Sequence, residues 1–256
     1  MSQTAVTSPV LARMETRPGF VRLVAVEVRK LVDTRSSLAI FAVLAVLATA
    51  LVVGIAAMGA AQGTVTTFAG LAGSIGLFTG LAMPLIGILG MTSDISHRTS
   101  YIYYPLMRGR TAQFWAKVLA AAVLALALQG FVFVVSAVMA LALGAEAAEA
   151  FDGAAPALWT GVATCLLSTL FGVAMAAAIR RTALSIVAVI LITLVGNGLI
   201  LTLLPEASGY LSTITAAAAL LGGPEAPSAL EVASSLTLWY VLPLGIGWWI
   251  TEKGEA

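Results

Sequence analysis

Arg29 to Met58 reads RKLVDTRSSLAIFAVLAVLATALVVGIAAM. The first part is basic and broken by Asp33. From Leu38 to Met58 no charged residue occurs. A hydrocarbon core of ~30 Å takes about 20 apolar residues as a helix, so this run is read as a membrane span with a cationic flank. Five further runs of the same kind follow: Phe68 to Met91, Ala116 to Leu143, Ala157 to Ile179, Ala183 to Leu204 and Val232 to Ile250. Barrel strands alternate apolar and polar residues, and these runs do not. The fold class read from the chain is an all-α integral membrane protein with six transmembrane helices.

The loops sort by charge. Taken alternately, one set holds all 13 Lys and Arg residues: Arg13, Arg17, Arg22, Arg29, Lys30, Arg35, Arg98, Arg108, Arg110, Lys117, Arg180, Arg181 and Lys253. The other set holds only acids: Glu146, Glu149, Asp152, Glu206, Glu225 and Glu231. Cytoplasmic loops are the ones enriched in Lys and Arg, so both termini are expected inside. An odd number of crossings would put Lys253 on the wrong side. Charged residues make up 10% of the chain and apolar ones 60%, with a mean hydropathy of +1.03. A soluble domain carries about 25% charge. Nucleic acid is excluded as a partner, because it needs a basic stripe rather than short basic loops. Cys165 stands alone, so no intrachain disulfide forms. The first apolar run lies behind a charged leader, which does not fit a cleavable signal peptide.

Four regions follow. Residues 1–17 are polar and read as a mobile cytoplasmic tail. Residues 18–35 form an amphipathic helix with Phe20, Val21, Val24, Val28, Leu31 and Val32 on one face. Arg22, Glu27, Arg29, Lys30 and Asp33 share the other, with Leu23 and Val26 as exceptions. Such a helix beside a span lies in the membrane interface. Residues 36–250 are the six-helix domain and 251–256 a cytoplasmic tail. Between the second and third spans runs TSDISHRTSYIYYPLMRGRTAQFW, Thr92 to Trp115, the longest inside connection. Arg180 and Arg181 make a tight inside turn. Pro205 to Glu231 is the longest outside segment. Its TITAAAALL is apolar but too short to span, which suits a re-entrant or interfacial helix or a loop lying over the bundle.

Motifs for chemistry are missing. There is no GxxxxGK[ST] phosphate loop, no HExxH (His97 is the sole histidine) and no GxSxG turn. The cores of the spans carry no ionisable residue, which argues against an ion relay. Two amides remain. Gln129 in the third span and Asn197, between Gly196 and Gly198 in the fifth, read either as a substrate path or as inter-helix hydrogen bonds, the second being the commoner use. The Gly-Asn-Gly sequence also loosens the helix locally. Gly76 and Gly80 of the second span form a small-xxx-small pair for close helix contact, and Pro84 removes a backbone donor there. His97, in a basic loop, reads as a surface contact.

Several of these features together resemble the permeases of the type-2 ATP-binding-cassette family. The leader EVRKLVDTR is similar to the family's E-x-x-K-x-x-x-x-R and maps to Glu27, Lys30 and Arg35. Where the family has Glu-Tyr-Arg and then Thr at the start of the inside loop, this chain has Asp94, Ile95, Ser96 and then Thr99. The family's P-x-x-R and following Lys map to Pro105, Arg108 and Lys117. The resemblance implies a cytoplasmic coupling helix between spans two and three, and an extracellular re-entrant segment before span six. It implies contacts to an ATPase through the residues just named and through His97, Arg98, Tyr101, Tyr103 and Tyr104. It implies ABC ATPase partners, two in number, and a second permease copy or paralogue in a bacterial inner membrane. ATP and magnesium belong to those partners, and no cofactor is expected in this chain. On this reading the chain is not itself an enzyme; it is an exporter subunit for a hydrophobic or amphipathic substrate. The alternatives are a non-transporting membrane partner or immunity protein, and an intramembrane enzyme.

Overall fold

The computed structural model describes residues 19–33, 35–64, 66–96, 110–143, 146–222 and 226–253, without the side chains of residues 35, 36, 94–96 and 221. Among the described residues there is no strand. Helix α1 is Phe20–Asp33. Next come α2 (Arg35–Ala61), α3 (Phe68–Ser74), α4 (Gly76–Ser96), α5 (Arg110–Ala142) and the short α6 (Ala147–Ala150). Helix α7 is Ala154–Ile179 and α8 is Thr182–Leu203. Helix α9 is Thr215–Leu221 and α10 is Ala229–Lys253. Among the described residues six helices, α2, α4, α5, α7, α8 and α10, are long and apolar enough to cross a membrane. The chain is an all-α, multi-pass membrane protein.

Two departures from the sequence reading stand out. The second apolar run is two helices, broken at Ile75 (φ −90°, ψ 12°) between Gly73 and Gly76. Glycine is a poor helix former, so the pair concentrates the break there. Helix α3 is capped by Thr67, whose Oγ1 accepts from the Gly70 amide at 3.1 Å. The second departure lies in α8 and α10, each of which contains a widened π turn, at Leu191–Gly196 and Thr237–Val241.

Helix α7 is the hub. In lipid, helices are held by close packing rather than by expulsion of water, and small residues permit the approach. A Cβ on Gly172 of α7 would stand 2.6 Å from the Cα of Pro84 in α4. A Cβ on Gly87 of α4 would stand 2.8 Å from the amide nitrogen of Val173. On the other flank, a Cβ on Gly247 of α10 would lie 2.7 Å from the Ala177 carbonyl carbon. The tight small-residue contact of the second span is therefore at Gly87. The pair expected to make it, Gly76 and Gly80, faces open space: a Cβ at either meets nothing within 4 Å. Helix α5 joins through a buried alanine row, Ala116, Ala120, Ala121 and Ala125. Helices α2, α8 and α10 form the perimeter and bury the least of their length.

The two ends of the bundle differ. At one end Phe68 packs on Phe133 and Phe151, with ring centroids 5.8 and 5.9 Å apart. At the other, α1 lies against α5, α2 and α4. Glu27 and Leu31 are buried, whereas Phe20, Val21 and Val32 remain exposed, Val21 at 81%. The helix thus docks through its Leu23–Glu27–Leu31 side and leaves apolar residues on the outside.

Candidate functional site

The end bearing α1 collects charged residues. Lys30 Nζ donates to Glu27 Oε1 at 2.7 Å, one helical turn away. Glu27 is 5% exposed, and Lys117, near the start of α5, is 8% exposed. Leu31 lies over Gly90 of α4, its Cδ1 3.6 Å from where a Cβ would stand. Helix α1 therefore touches both helices that flank residues 97–109. Two further ties close this end. The Thr182 hydroxyl at the head of α8 donates to Thr92 Oγ1 near the end of α4 at 2.9 Å. Arg110 donates to the Glu252 carbonyl at 3.4 Å, and the Thr111 hydroxyl donates to the Glu252 carboxylate.

Three of the expected contact residues, Glu27, Lys30 and Lys117, are thus brought to one end. Arg35 and Asp94 belong to described helices, but their side chains lie outside the described residues. His97, Arg98, Thr99, Tyr101, Tyr103, Tyr104, Pro105 and Arg108 also lie outside the described residues.

The opposite half holds a hairpin. It comprises the helical turns Pro205–Ala207 and Ser208–Leu211, a bend at Ser212 and Thr213, and α9. Asn197 grips its turn. Asn197 Oδ1 accepts from the Thr213 amide at 3.1 Å and from the Ser212 hydroxyl at 3.0 Å. Its Nδ2 donates to Thr213 Oγ1 at 2.9 Å and to the Thr193 carbonyl, inside the π turn, at 3.3 Å. From α10, the Ser235 hydroxyl and the Trp239 indole N–H each donate at 2.7 Å, to the carbonyls of Ser212 and Leu211. Of the two readings open for Asn197, the hydrogen-bonding one describes what is found, but the partner is the hairpin and not another span. Asn197 lies six residues before the end of α8, roughly 9 Å at 1.5 Å per residue. Outside the hairpin lies a cavity of about 710 Å³ with Asn197, Pro205, Ser212 and Glu231 in its wall. Ser228 caps α10, and Glu231 completes a capping box with it.

Gln129 sits elsewhere, in a second cavity of about 270 Å³. It shares that wall with Gly76, Thr79 and Thr160. Pro84 does not reach it; its carbonyl and Cα press on Gly172. Among the described residues no group of three His, Cys, Asp or Glu is placed to hold a metal.

Sequence reasoning missed the partners more than the residues. Ser212, Thr213, Ser235 and Trp239 carried no motif; a polar S-T pair amid apolar residues was the one available signal. Gly172 was missed because its meaning lies on another helix. No family model matches the chain, and no curated protein is similar to it.

Proposed function

We propose that this chain is the membrane subunit of an ATP-driven exporter, a permease of the type-2 ATP-binding-cassette kind. Two such chains, or one and a paralogue, form the path between them, and separate ATPase subunits supply the energy from the cytoplasm of a bacterial cell. In this reading the α1 end is cytoplasmic, with both termini there. Residues 97–109 contain the coupling helix, α1 lies in the membrane interface with Phe20 and Val21 toward lipid, and the hairpin 205–221 is re-entrant from the outer face.

One observation carries the reading: α1 packs on both helices that lead into and out of the basic segment 97–109. A push on that segment is thereby delivered to α4 and α5 together, and through Gly87 and Gly172 to α7. The charge polarity of the loops supports the orientation. The lack of ionisable residues in the span cores fits a motive force applied from outside the chain. Cargo in this reading is hydrophobic or amphipathic.

The test is co-expression with ABC ATPase subunits. Co-purification and ATP-dependent efflux are expected, and Arg108→Ala should insert and assemble yet lose both efflux and stimulation of ATP hydrolysis. Failure of any such ATPase to bind, or normal coupling in Arg108→Ala, overturns the assignment.

A further inference from the structure

The turn between α7 and α8 places a cation at a strained backbone position. Arg180 ends α7 with φ 56° and ψ 22°, and it is the one non-glycine at positive φ among the described residues. Glycine usually closes a helix in this conformation. The backbone of Arg180 makes the cap, its N–H donating to the Ala176 carbonyl at 2.9 Å. The Arg181 side chain makes no capping bond to α8. Among the described residues neither guanidinium has an ion-pair or hydrogen-bond partner.

The end of α10 adds a third cation. Phe171 of α7 packs on Tyr240 of α10 with ring centroids 6.2 Å apart, and Ala177 meets Gly247. Contacts advance together along both helices, so the two run in the same direction. Arg180 and Arg181 then stand level with Ile250 and Thr251, and Lys253 lies ~4.5 Å beyond Ile250 along the axis. Around α7 the order is α8, α4, α5, α10, and at this end the arc from α10 back to α8 is open. With Gly247 facing α7, ~100° per residue turns Glu252 about 140° round and Lys253 about 240°. Glu252 is held on the α5 flank by Arg110 and Thr111. Lys253 therefore lies on the opposite flank, toward the open arc, with its Nζ 5.2 Å from the Trp249 ring centroid.

Below the three cations the surface is apolar. Leu184 and Val187 of α8 and Ile246 and Trp249 of α10 are all exposed. A small anion or an acidic protein surface would use the cations and leave this lane uncovered. A phospholipid uses both, since phosphate oxygens accept from guanidinium forks and acyl chains cover the lane. Tryptophan is at home at headgroup level. A zwitterionic headgroup carries its own cation into the patch, where like charges repel it, so a net negative lipid fits best.

We infer that the α7–α8 turn and the end of α10 form a binding site for the headgroup of one anionic phospholipid. Its phosphate accepts from Arg180 and Arg181, Lys253 closes the far side, and its chains lie along Leu184 and Ile246. The site needs neither an ATPase nor a second copy, so it stands without the transport reading.

The experiment is native mass spectrometry of the full-length protein released from detergent micelles holding equal phosphatidylglycerol and phosphatidylcholine. Phosphatidylglycerol should be retained at least tenfold better, saturating first at one per chain. Arg180→Gly removes one cation and suits the left-handed turn, so the helix cap persists; the preference should fall at least threefold. Arg22→Gln removes the same charge from the exposed side of α1 and should leave the preference unchanged. The inference is overturned if phosphatidylcholine is retained equally by the unaltered protein, if Arg180→Gly keeps the full preference, or if Arg22→Gln lowers it as much, which would reduce the effect to total charge. It is overturned equally if Arg180→Gly releases a bound ATPase subunit while the lipid preference stays, since the patch would then serve a protein contact. The two-lipid comparison on the unaltered protein decides the matter even where a variant fails to fold.

Discussion

Gly172→Ala adds one methyl group at the closest approach in the bundle. The new Cβ would stand 2.6 and 2.7 Å from the Cα and carbonyl carbon of Pro84, whereas ordinary contact begins at 3.4 Å. The obstacle is backbone, which cannot swing aside as a side chain does. Helices α4 and α7 must then part by at least 0.8 Å, the difference between 3.4 and 2.6 Å, because the Pro84 carbonyl oxygen stands nearer still. A radial gap of 0.5–1 Å forfeits a quarter to a half of each dispersion contact. If about 40 atom pairs at ~0.1 kcal/mol each are affected, as many as one buried leucine makes, the loss is about 1–2 kcal/mol. Overpacking elsewhere costs a similar ~1–3 kcal/mol. Gly80→Ala is the control, since its Cβ meets nothing within 4 Å; it should be neutral or gain up to ~1 kcal/mol from helix propensity. The assay is unfolding in mixed micelles by titration with SDS, following helix content. Equal stability of Gly172→Ala and the parent, within about 0.5 kcal/mol, would show that α4 and α7 do not meet at this glycine, and the hub assignment would go with it.

Three further outcomes are expected. Asn197→Leu leaves the Thr213 amide and the Ser212 hydroxyl without their acceptor; at about 1–2 kcal/mol the hairpin should open five- to thirty-fold more often. A cysteine placed at Ser212, 7% exposed in the folded chain, should then react with maleimide faster by that factor. Glu27→Ala strips a carboxylate from Lys30, whose side chain stays 33% exposed. The cost should be about 1–2 kcal/mol, less than for a fully buried pair, and it should show as faster proteolysis between α1 and α2; an unchanged cleavage rate would mean that α1 is not anchored by that residue. Cys165 is fully buried and gives a silent background for topology mapping. Single cysteines at Arg108 and Arg180 should react with an impermeant maleimide from one side of the membrane, and one at Glu225 from the other. Arg108 and Arg180 labelling from opposite sides would refute the orientation.

The spans were legible because lipid imposes a length: about 20 apolar residues cannot be disguised. Their ends were less so. Helix α5 begins at Arg110, not Ala116, since a helix continues past the hydrocarbon where basic side chains reach water. The break at Ile75 left only Gly73 and Gly76 as a trace. Gly76 and Gly80 satisfied the spacing rule for close packing and yet face a void, whereas Gly87 and Gly172 make the contact. Spacing within one helix cannot say which face its neighbour takes, and pairing is a property of two helices. Asn197 was legible as a hydrogen-bonding residue because an amide in lipid must find a partner. Its partner was not, because Ser212 and Thr213 come near it only after the hairpin folds back. Glu27 was placed on the polar face of α1 and is nevertheless buried, with Lys30 against its carboxylate; an amphipathic pattern assigns carboxylates to the outside.

The wide turn at Leu191–Gly196 acts as one surplus residue inserted into a helix. In a plain α-helix each residue advances the azimuth by about 100°; the wide turn takes up one residue without that advance, so Asn197 and everything beyond it keep the phase they would have in a helix one residue shorter. Excising one residue from Leu191 to Val195 should straighten the turn and leave the amide facing the hairpin, whereas adding one would swing it away by about 100°. The helix thus tolerates a shorter form at this place but not a longer one, and a related chain without the extra residue would keep its amide in the equivalent position.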